Sequence, residues 1–187
     1  MRNKYNLIAI IFILVMVFGS IVQGQIENTP HDLSAISGGN TCSFCHTPHS
    51  AVSGTPLWNH KLSDAVYSIY KSSSLEANVG QPTGSSKLCL SCHDGTVALT
   101  ETISSGLTGG AYIEPGAANL GTDLSDDHPI SFIYSPALAI EDTQLRSPLT
   151  LPEQLKLDKS GELQCTTCHD PHNNQYGKFL EIGRAHV

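Results

Sequence analysis

Three copies of one cysteine and histidine motif constrain this chain more than any other feature. All six cysteines of the 187 residues fall into pairs that are three positions apart and are followed at once by histidine. The copies are Cys42, Cys45 and His46; Cys89, Cys92 and His93; and Cys165, Cys168 and His169. Two thiols at this spacing reach the two vinyl groups on one edge of a haem, and the adjacent imidazole then faces the iron. The pattern therefore predicts three covalently attached c-type haems.

Two other uses of paired cysteines are alternatives to haem. Six cysteines in an exported chain would suit three disulfides, and cysteine pairs with nearby histidine would suit zinc. Neither use requires the same spacing three times, nor a histidine directly after every pair. The repetition therefore favours haem attachment.

The composition fits a chain that surrounds large apolar cofactors. Only 14% of the residues are charged and 6% are aromatic, and there are 16 glycines and 10 prolines, which leaves little material for a conventional core. Three haems would supply the missing apolar surface. We expect a mostly irregular, loop-rich fold with short α-helices and minimal β structure, wrapped around a haem core as one domain over residues 25–187.

The amino terminus predicts export. Arg2 and Lys4 precede the apolar run Leu7–Phe18, and small residues follow up to Gly24, which is the pattern of a secretory signal peptide over residues 1–24. An uncleaved membrane anchor is the alternative, since the run approaches the roughly 18 residues that span a bilayer. We expect a periplasmic or extracellular protein without a membrane span after cleavage.

The second axial ligand of each iron decides between a carrier and a catalyst. Methionine occurs only at positions 1 and 16, inside the expected signal peptide, so the exported chain has no methionine ligand to offer. Histidine is in surplus. We predict histidine on both faces of every iron, which gives low-potential haems without an open position. The candidate second ligands are His31, His49, His60, His128, His172 and His186.

His49 and His172 each stand three residues after a motif histidine, with proline directly before them. Three helical residues rise only about 4.5 Å, and the prolines turn the chain away, so neither histidine easily reaches the far face of its own haem. We predict that both ligate neighbouring irons, which would bring the haems edge to edge. A surface histidine next to a turn is the alternative.

The other candidates are less tightly constrained. His60 follows the apolar pair Leu57 and Trp58, which could pack on a porphyrin and carry the imidazole to an iron. His128 stands before a proline, and a helix-capping turn without a ligand is the alternative there. His31 lies in an amino-terminal segment that would be mobile unless ligation held it.

Helices and strands are expected mainly around the motifs. Residues 61–70 predict an amphipathic helix, and a helix capped at Ser85 and Ser86 is expected to carry the second motif. Residues 100–121 are rich in Gly, Ser, Ala and Thr and predict a loop. Residues 123–145 predict a strand and a short helix.

The motif extends to Cys-x-x-Cys-His-x-Pro-His at both ends of the chain. In this the chain resembles the multihaem c-type cytochromes with doubled Cys-x-x-Cys-His motifs. The resemblance implies periplasmic or extracellular electron transfer, and relatives include subunits that polymerise into filaments with a continuous haem chain. Besides the motifs, it is carried by His31–Ser34, Pro56–His60, Leu88–Val97, Leu124–Ser131 and Tyr176–Leu180.

The carboxyl terminus departs from that family pattern, which usually continues to one more motif. Residues 181–187 read Glu-Ile-Gly-Arg-Ala-His-Val, which matches the in-frame translation of a common sequencing adapter. We expect these residues, with His186, to be an artefact and the natural protein to carry a fourth haem. A genuine short tail is the alternative.

The expected function is non-catalytic electron transfer, as a shuttle or as a filament subunit, with redox proteins or other copies of this chain as partners. In a filament, His31 or His172 would complete a haem in another subunit. The alternative is a multihaem oxidoreductase of nitrite or another oxyanion, which needs one open haem and a polar pocket. A gas sensor needs the same opening and an output domain. The net charge of −7 without a basic run argues against nucleic acid as a partner.

Overall fold

The computed structural model describes residues 26–38, 40–52, 56–106 and 108–183. Its helices are α1 (Ser34–Ser37), α2 (Thr41–Cys45), α3 (Gly84–His93), α4 (Pro136–Asp142) and α5 (Cys165–Cys168), with a 3₁₀ turn at Pro148–Thr150 and strands β1 (Phe132–Ile133) and β2 (Glu162–Leu163). The predicted loop-rich fold with short helices and minimal β structure is confirmed. The expected signal peptide and His186 lie outside the described residues. Within those residues, no helix has the length and apolarity to cross a membrane.

Each motif lies on a short helix with a defined start. At α2, the Asn40 side-chain oxygen accepts the backbone N–H groups of Cys42 at 3.0 Å and Ser43 at 3.1 Å. At α5, the side chains of Gln164 and Thr167 each bond the other's backbone N–H in a capping box. Because residues three apart share one face of a helix, each motif presents its two thiols on one side.

The second motif ends α3, as predicted, but this helix begins after Thr83. Ser85 and Ser86 lie inside its first turn, so the prediction of a cap at these serines is wrong. The reason is tertiary, because both hydroxyls bond the region of the third motif. Ser86 donates to the buried Gln164 at 2.6 Å, and the Ser85 and Thr166 hydroxyls bond each other at 2.6 Å. These bonds fix the second motif against the third.

The predicted amphipathic helix over residues 61–70 is wrong, because this segment is extended. Burial alternates along it: Tyr67 is 6% exposed, whereas its neighbour Val66 is 82% exposed, which is the two-residue period of a strand. The Ser68 backbone N–H donates to the Thr122 carbonyl at 3.0 Å, and the two segments form an isolated bridge nearby. Pairing with a distant segment therefore decides the conformation here.

The conventional core consists of two small clusters, one of Tyr67, Leu90 and Leu124 and one around strands β1 and β2. Strand β1 pairs antiparallel with β2, with Phe132 opposite Leu163, and α4 packs Leu138 onto the same cluster. The strand and short helix expected within residues 123–145 are confirmed as β1 and α4. The described part of residues 100–121 holds no helix and no named strand, as predicted for a loop.

Candidate haem site

The three motif histidines share one type of hydrogen bond. In each, Nδ1 lies 2.6–2.8 Å from a backbone carbonyl oxygen, and the nitrogen must donate because a carbonyl can only accept. In the neutral ring, Nε2 then carries the lone pair, and the ring orientation is fixed as it is in metal-ligating histidines. The pairs are His46 with Pro56, His93 with Ala118, and His169 with Lys178.

The loops after the first and third motifs share one pairing. We call residues 42–58 the first module, of which the structure describes 42–52 and 56–58, and residues 165–180 the third module. In each module a later residue forms an isolated antiparallel bridge with the motif histidine. The bridges join His46 to Trp58 and His169 to Leu180. The repeated motif therefore belongs to a repeated structural unit.

The two returning loops also share a backbone conformation. Leu57 and Phe179 both adopt the left-handed region with a φ of 57°, which residues other than glycine seldom do. Their carbonyl groups accept matching bonds, from Thr47 N–H at 2.8 Å and from Asp170 N–H at 2.8 Å. Each donor is the residue directly after a motif histidine, so the loop and the motif are held in one fixed arrangement.

At the first haem position, defined by His46, the structure brings His172 of the third module opposite the motif histidine. The two ring centres are 6.1 Å apart and the ring planes differ by 18°. Two metal–imidazole bonds of about 2 Å each would separate the ring centres by roughly 6 Å. Asp170 Oδ1 accepts the His172 backbone N–H at 2.9 Å and lies 3.4 Å from its Nδ1. The His172 side chain is 55% exposed, so the Asp170 bond to the backbone N–H holds the turn that carries the ring.

At the second haem position, defined by His93, the opposite ring is His31. The ring centres are 5.9 Å apart and the planes differ by 58°. The His31 ring also stacks on Phe179 with centres 4.1 Å apart, and its Nδ1 lies 3.3 Å from the Pro171 carbonyl oxygen. Burial lowers the pKa of His31, so a neutral ring with a free lone pair is favoured at neutral pH.

The third haem position, defined by His169, has no imidazole ring opposite it among the described residues. His49 and His128, two of the predicted second ligands, are exposed. Asp127, directly before His128, lies close enough to Cys165 for its charge to act on the thiol. The turn that carries His128 is therefore near the third motif.

His60 occupies a different kind of environment. Its side chain is 0% exposed and lies between the rings of Phe44 and Trp58, with ring centres 5.0 Å and 6.4 Å away. Among the described residues, neither ring nitrogen has a hydrogen-bond partner, and the nearby Leu99 carbonyl is outside bonding geometry. Burial lowers the pKa of His60.

The six cysteine side chains are free thiols. Burial raises the pKa of Cys45 to about 11 and that of Cys92 to about 12. A hydrogen bond with Cys165, together with burial, also raises the pKa of Cys89. The same hydrogen bond lowers the pKa of its partner Cys165 to about 7, so the thiols of the second and third motifs differ in ionisation. In the part of the chain that the structure describes, no three Cys, His or carboxylate groups converge on one metal position.

Several contacts at the site carry no side-chain signal in the sequence. The carbonyl groups of Pro56, Ala118 and Lys178 orient the motif histidines, and any residue type supplies a carbonyl. Asp170 and Phe179 orient His172 and His31, respectively. Of these residues, only Asp170 could be identified from the sequence, because it lies inside the extended third motif.

The donor set at each motif fits covalently attached haem. Two thiols on one helical face stand next to an imidazole whose Nδ1 is bonded and whose Nε2 is free. At two positions a second imidazole lies at the spacing that one intervening metal ion requires. Both second imidazoles come from other segments of the same chain. The chain matches no protein-family model and no curated protein sequence.

Proposed function

We propose that this chain is an exported c-type cytochrome that carries electrons through three covalently attached, low-potential haems. The observation that supports this best is the spacing of paired imidazole rings, 6.1 Å for His46 and His172 and 5.9 Å for His31 and His93. Both spacings suit one metal ion with a nitrogen ligand on each side. Such a position exchanges electrons without binding a substrate.

The cysteines, the motif histidines and the second histidines would each have a separate role. Haem iron, when bound, supplies reversible one-electron chemistry. The cysteines hold the macrocycle, and the motif histidines present Nε2 to the iron. The backbone carbonyls that accept Nδ1–H raise the basicity of those ligands, which favours the oxidised metal and a low potential. His172 keeps other ligands away from the first position, and His31 does the same at the second.

Reduction of nitrite or another oxyanion at one open haem is the second candidate function. His169 is where such a reaction would take place, because the described residues bring no second imidazole opposite its ring. We propose instead that a further histidine of the chain, His128 or His49, fills this position. His128 has the better support, since Asp127 beside it interacts with Cys165 of the third motif.

The surroundings follow from the same proposal. We propose a periplasmic or extracellular location, with redox proteins or further copies of this chain as partners. A filament does not require His31 or His172 to cross between subunits, because both rings lie opposite motif histidines of their own chain.

The mass of the exported protein tests the proposal directly. Expression with a cytochrome c maturation system should give a mass increase of three haems that survives denaturation. Cys45→Ala and Cys92→Ala should each remove one attachment, whereas Ser43→Ala, between the cysteines of the first motif, should keep all three. A mass equal to that of the bare polypeptide, or one shifted by zinc, would contradict the proposal. Carbon monoxide binding at one haem in three would favour the oxyanion reductase.

A further inference from the structure

We propose that the third module is a shared scaffold for the second axial ligands, so that attachment of haem at the third position determines whether the first and second positions are six-coordinate. This inference rests on the proposed haem-binding function. It follows from one stretch of chain, residues 169–180, which contacts ligand groups at all three positions. In the first module, the rings of Phe44 and Trp58 contact His60, which faces no motif histidine among the described residues.

The first position depends on this stretch through His172. Asp170 holds the His172 backbone N–H and faces its Nδ1. Asp170 is itself fixed by its own N–H, which donates to the Phe179 carbonyl at 2.8 Å. The ring that faces His46 is therefore positioned by a turn whose geometry is set inside the third module.

The second position depends on the same stretch through His31. The His31 ring stacks on Phe179, 8% exposed, at 4.1 Å between ring centres, and Nδ1 lies 3.3 Å from the Pro171 carbonyl. The other bond between His31 and a side chain is local. The His31 backbone N–H donates to the Thr29 hydroxyl at 3.3 Å. The third module thus supplies the contacts that aim this imidazole at His93.

The third position fixes the stretch itself. His169 Nδ1 donates to the Lys178 carbonyl at 2.7 Å, and His169 forms a bridge with Leu180. Lys178 and Phe179 are left-handed, with φ of 50° and 57°, a conformation that such residues hold only when neighbouring contacts impose it. Attachment at Cys165 and Cys168 and ligation by His169 would hold these contacts in place.

Removal of single attachments tests the dependence. In Cys165→Ala/Cys168→Ala, we expect both remaining haems to become high-spin and to bind carbon monoxide. In the matched variant Cys42→Ala/Cys45→Ala, the haem at His93 should stay low-spin, because His31 does not depend on the first module. Two low-spin haems in the first variant would overturn the inference but leave the proposed function intact. Wild-type protein without covalent haem would overturn both.

Phe179 provides a second test that keeps every attachment and does not depend on the double variant folding. In Phe179→Ala, one of the three haems, the one at His93, should become high-spin and bind carbon monoxide. Phe179→Tyr should keep the low-spin spectrum. Leu57→Ala is the matched control, since Leu57 has the same backbone conformation but a 53% exposed side chain. An unchanged low-spin spectrum in Phe179→Ala would overturn the inference.

Discussion

The first and third modules share a bridge and a left-handed residue in their described parts, but their second histidines lie in different surroundings. Both histidines are exposed, yet the ring centre of His172 lies 6.1 Å from that of His46, whereas no imidazole ring lies near His49 among the described residues. The residue after the motif histidine differs between them. Asp170 contacts the His172 ring through its carboxylate, whereas the Thr47 hydroxyl donates to the His49 carbonyl at 2.9 Å and does not reach the ring.

The extended motif therefore determines the conformation of the returning loop but does not determine where its second histidine lies. The proline and the second histidine are common to both modules, and so is the left-handed residue at the returning end. Asp170 places a carboxylate oxygen 3.4 Å from the His172 Nδ1, and Thr47 offers no such contact to the His49 ring. The residue between the motif histidine and the proline is therefore the local difference that accompanies the two positions of the second histidine.

The largest effect should come from deletion of the second histidines. His172→Ala should leave His46 without an opposite imidazole, so the haem at that position should become high-spin and bind carbon monoxide. His49→Ala should change neither property at that position. Optical spectra with carbon monoxide, normalised to haem content, measure both. Equal spectra for the two variants would break the comparison.

A smaller effect is expected on stability, because the modules are anchored differently. Asn59, 1% exposed and directly after the first module, donates to Ser43 at 2.7 Å and Ser104 at 2.8 Å and accepts the Ser104 backbone N–H at 2.9 Å. Asn59→Ala removes these three part-buried hydrogen bonds and should cost about 2–3 kcal/mol. In the third module, half-buried Asn174 accepts the Phe179 N–H at 3.0 Å.

Asn174→Ala should accordingly cost only about 1 kcal/mol. Chemical denaturation followed by far-ultraviolet circular dichroism, with haem content matched between samples, gives both free energies of unfolding. A larger loss for Asn174→Ala than for Asn59→Ala would contradict the difference in anchoring.

The smallest effect should come from exchange of the residues between motif histidine and proline. Asp170→Thr should loosen the His172 ring and raise the rate of carbon monoxide binding at the first position by roughly tenfold, since contacts behind a metal ligand contribute on that scale. Thr47→Asp should leave the rate unchanged, because no imidazole faces His49 among the described residues. Stopped-flow mixing measures the rates, and a response in Thr47→Asp alone would reverse the assignment.

The sequence predicts well those features whose cause is local. The segment around Cys89, Cys92 and His93 is predicted to be helical, and the structure has α3 there. The apolar run around Phe132 predicts a strand and gives β1. The polar, glycine-rich stretch of residues 100–121 predicts a loop, because it has neither the periodicity nor the apolar content for a packed element.

The features that sequence reasoning misses are set by distant partners. Residues 61–70 can be read with a helical or a two-residue period, and the bridge from Ser68 to the segment around Asp123 selects the extended form. The pairing of His31 with His93 depends on Phe179, which no local pattern connects to either histidine. The same holds for the carbonyl of Ala118, which orients His93 from a loop.

The angles between the planes of the paired rings differ between the first and second positions. The planes of His46 and His172 are 18° apart, whereas those of His31 and His93 are 58° apart. An imidazole donates π density into the metal orbital perpendicular to its plane, so near-parallel rings would act on one orbital and tilted rings would divide their donation between two. With haem bound, the unpaired electron of a ferric ion would therefore be oriented along a defined direction at the first position and spread more evenly at the second. Identical attachment motifs would thus give magnetically distinct centres.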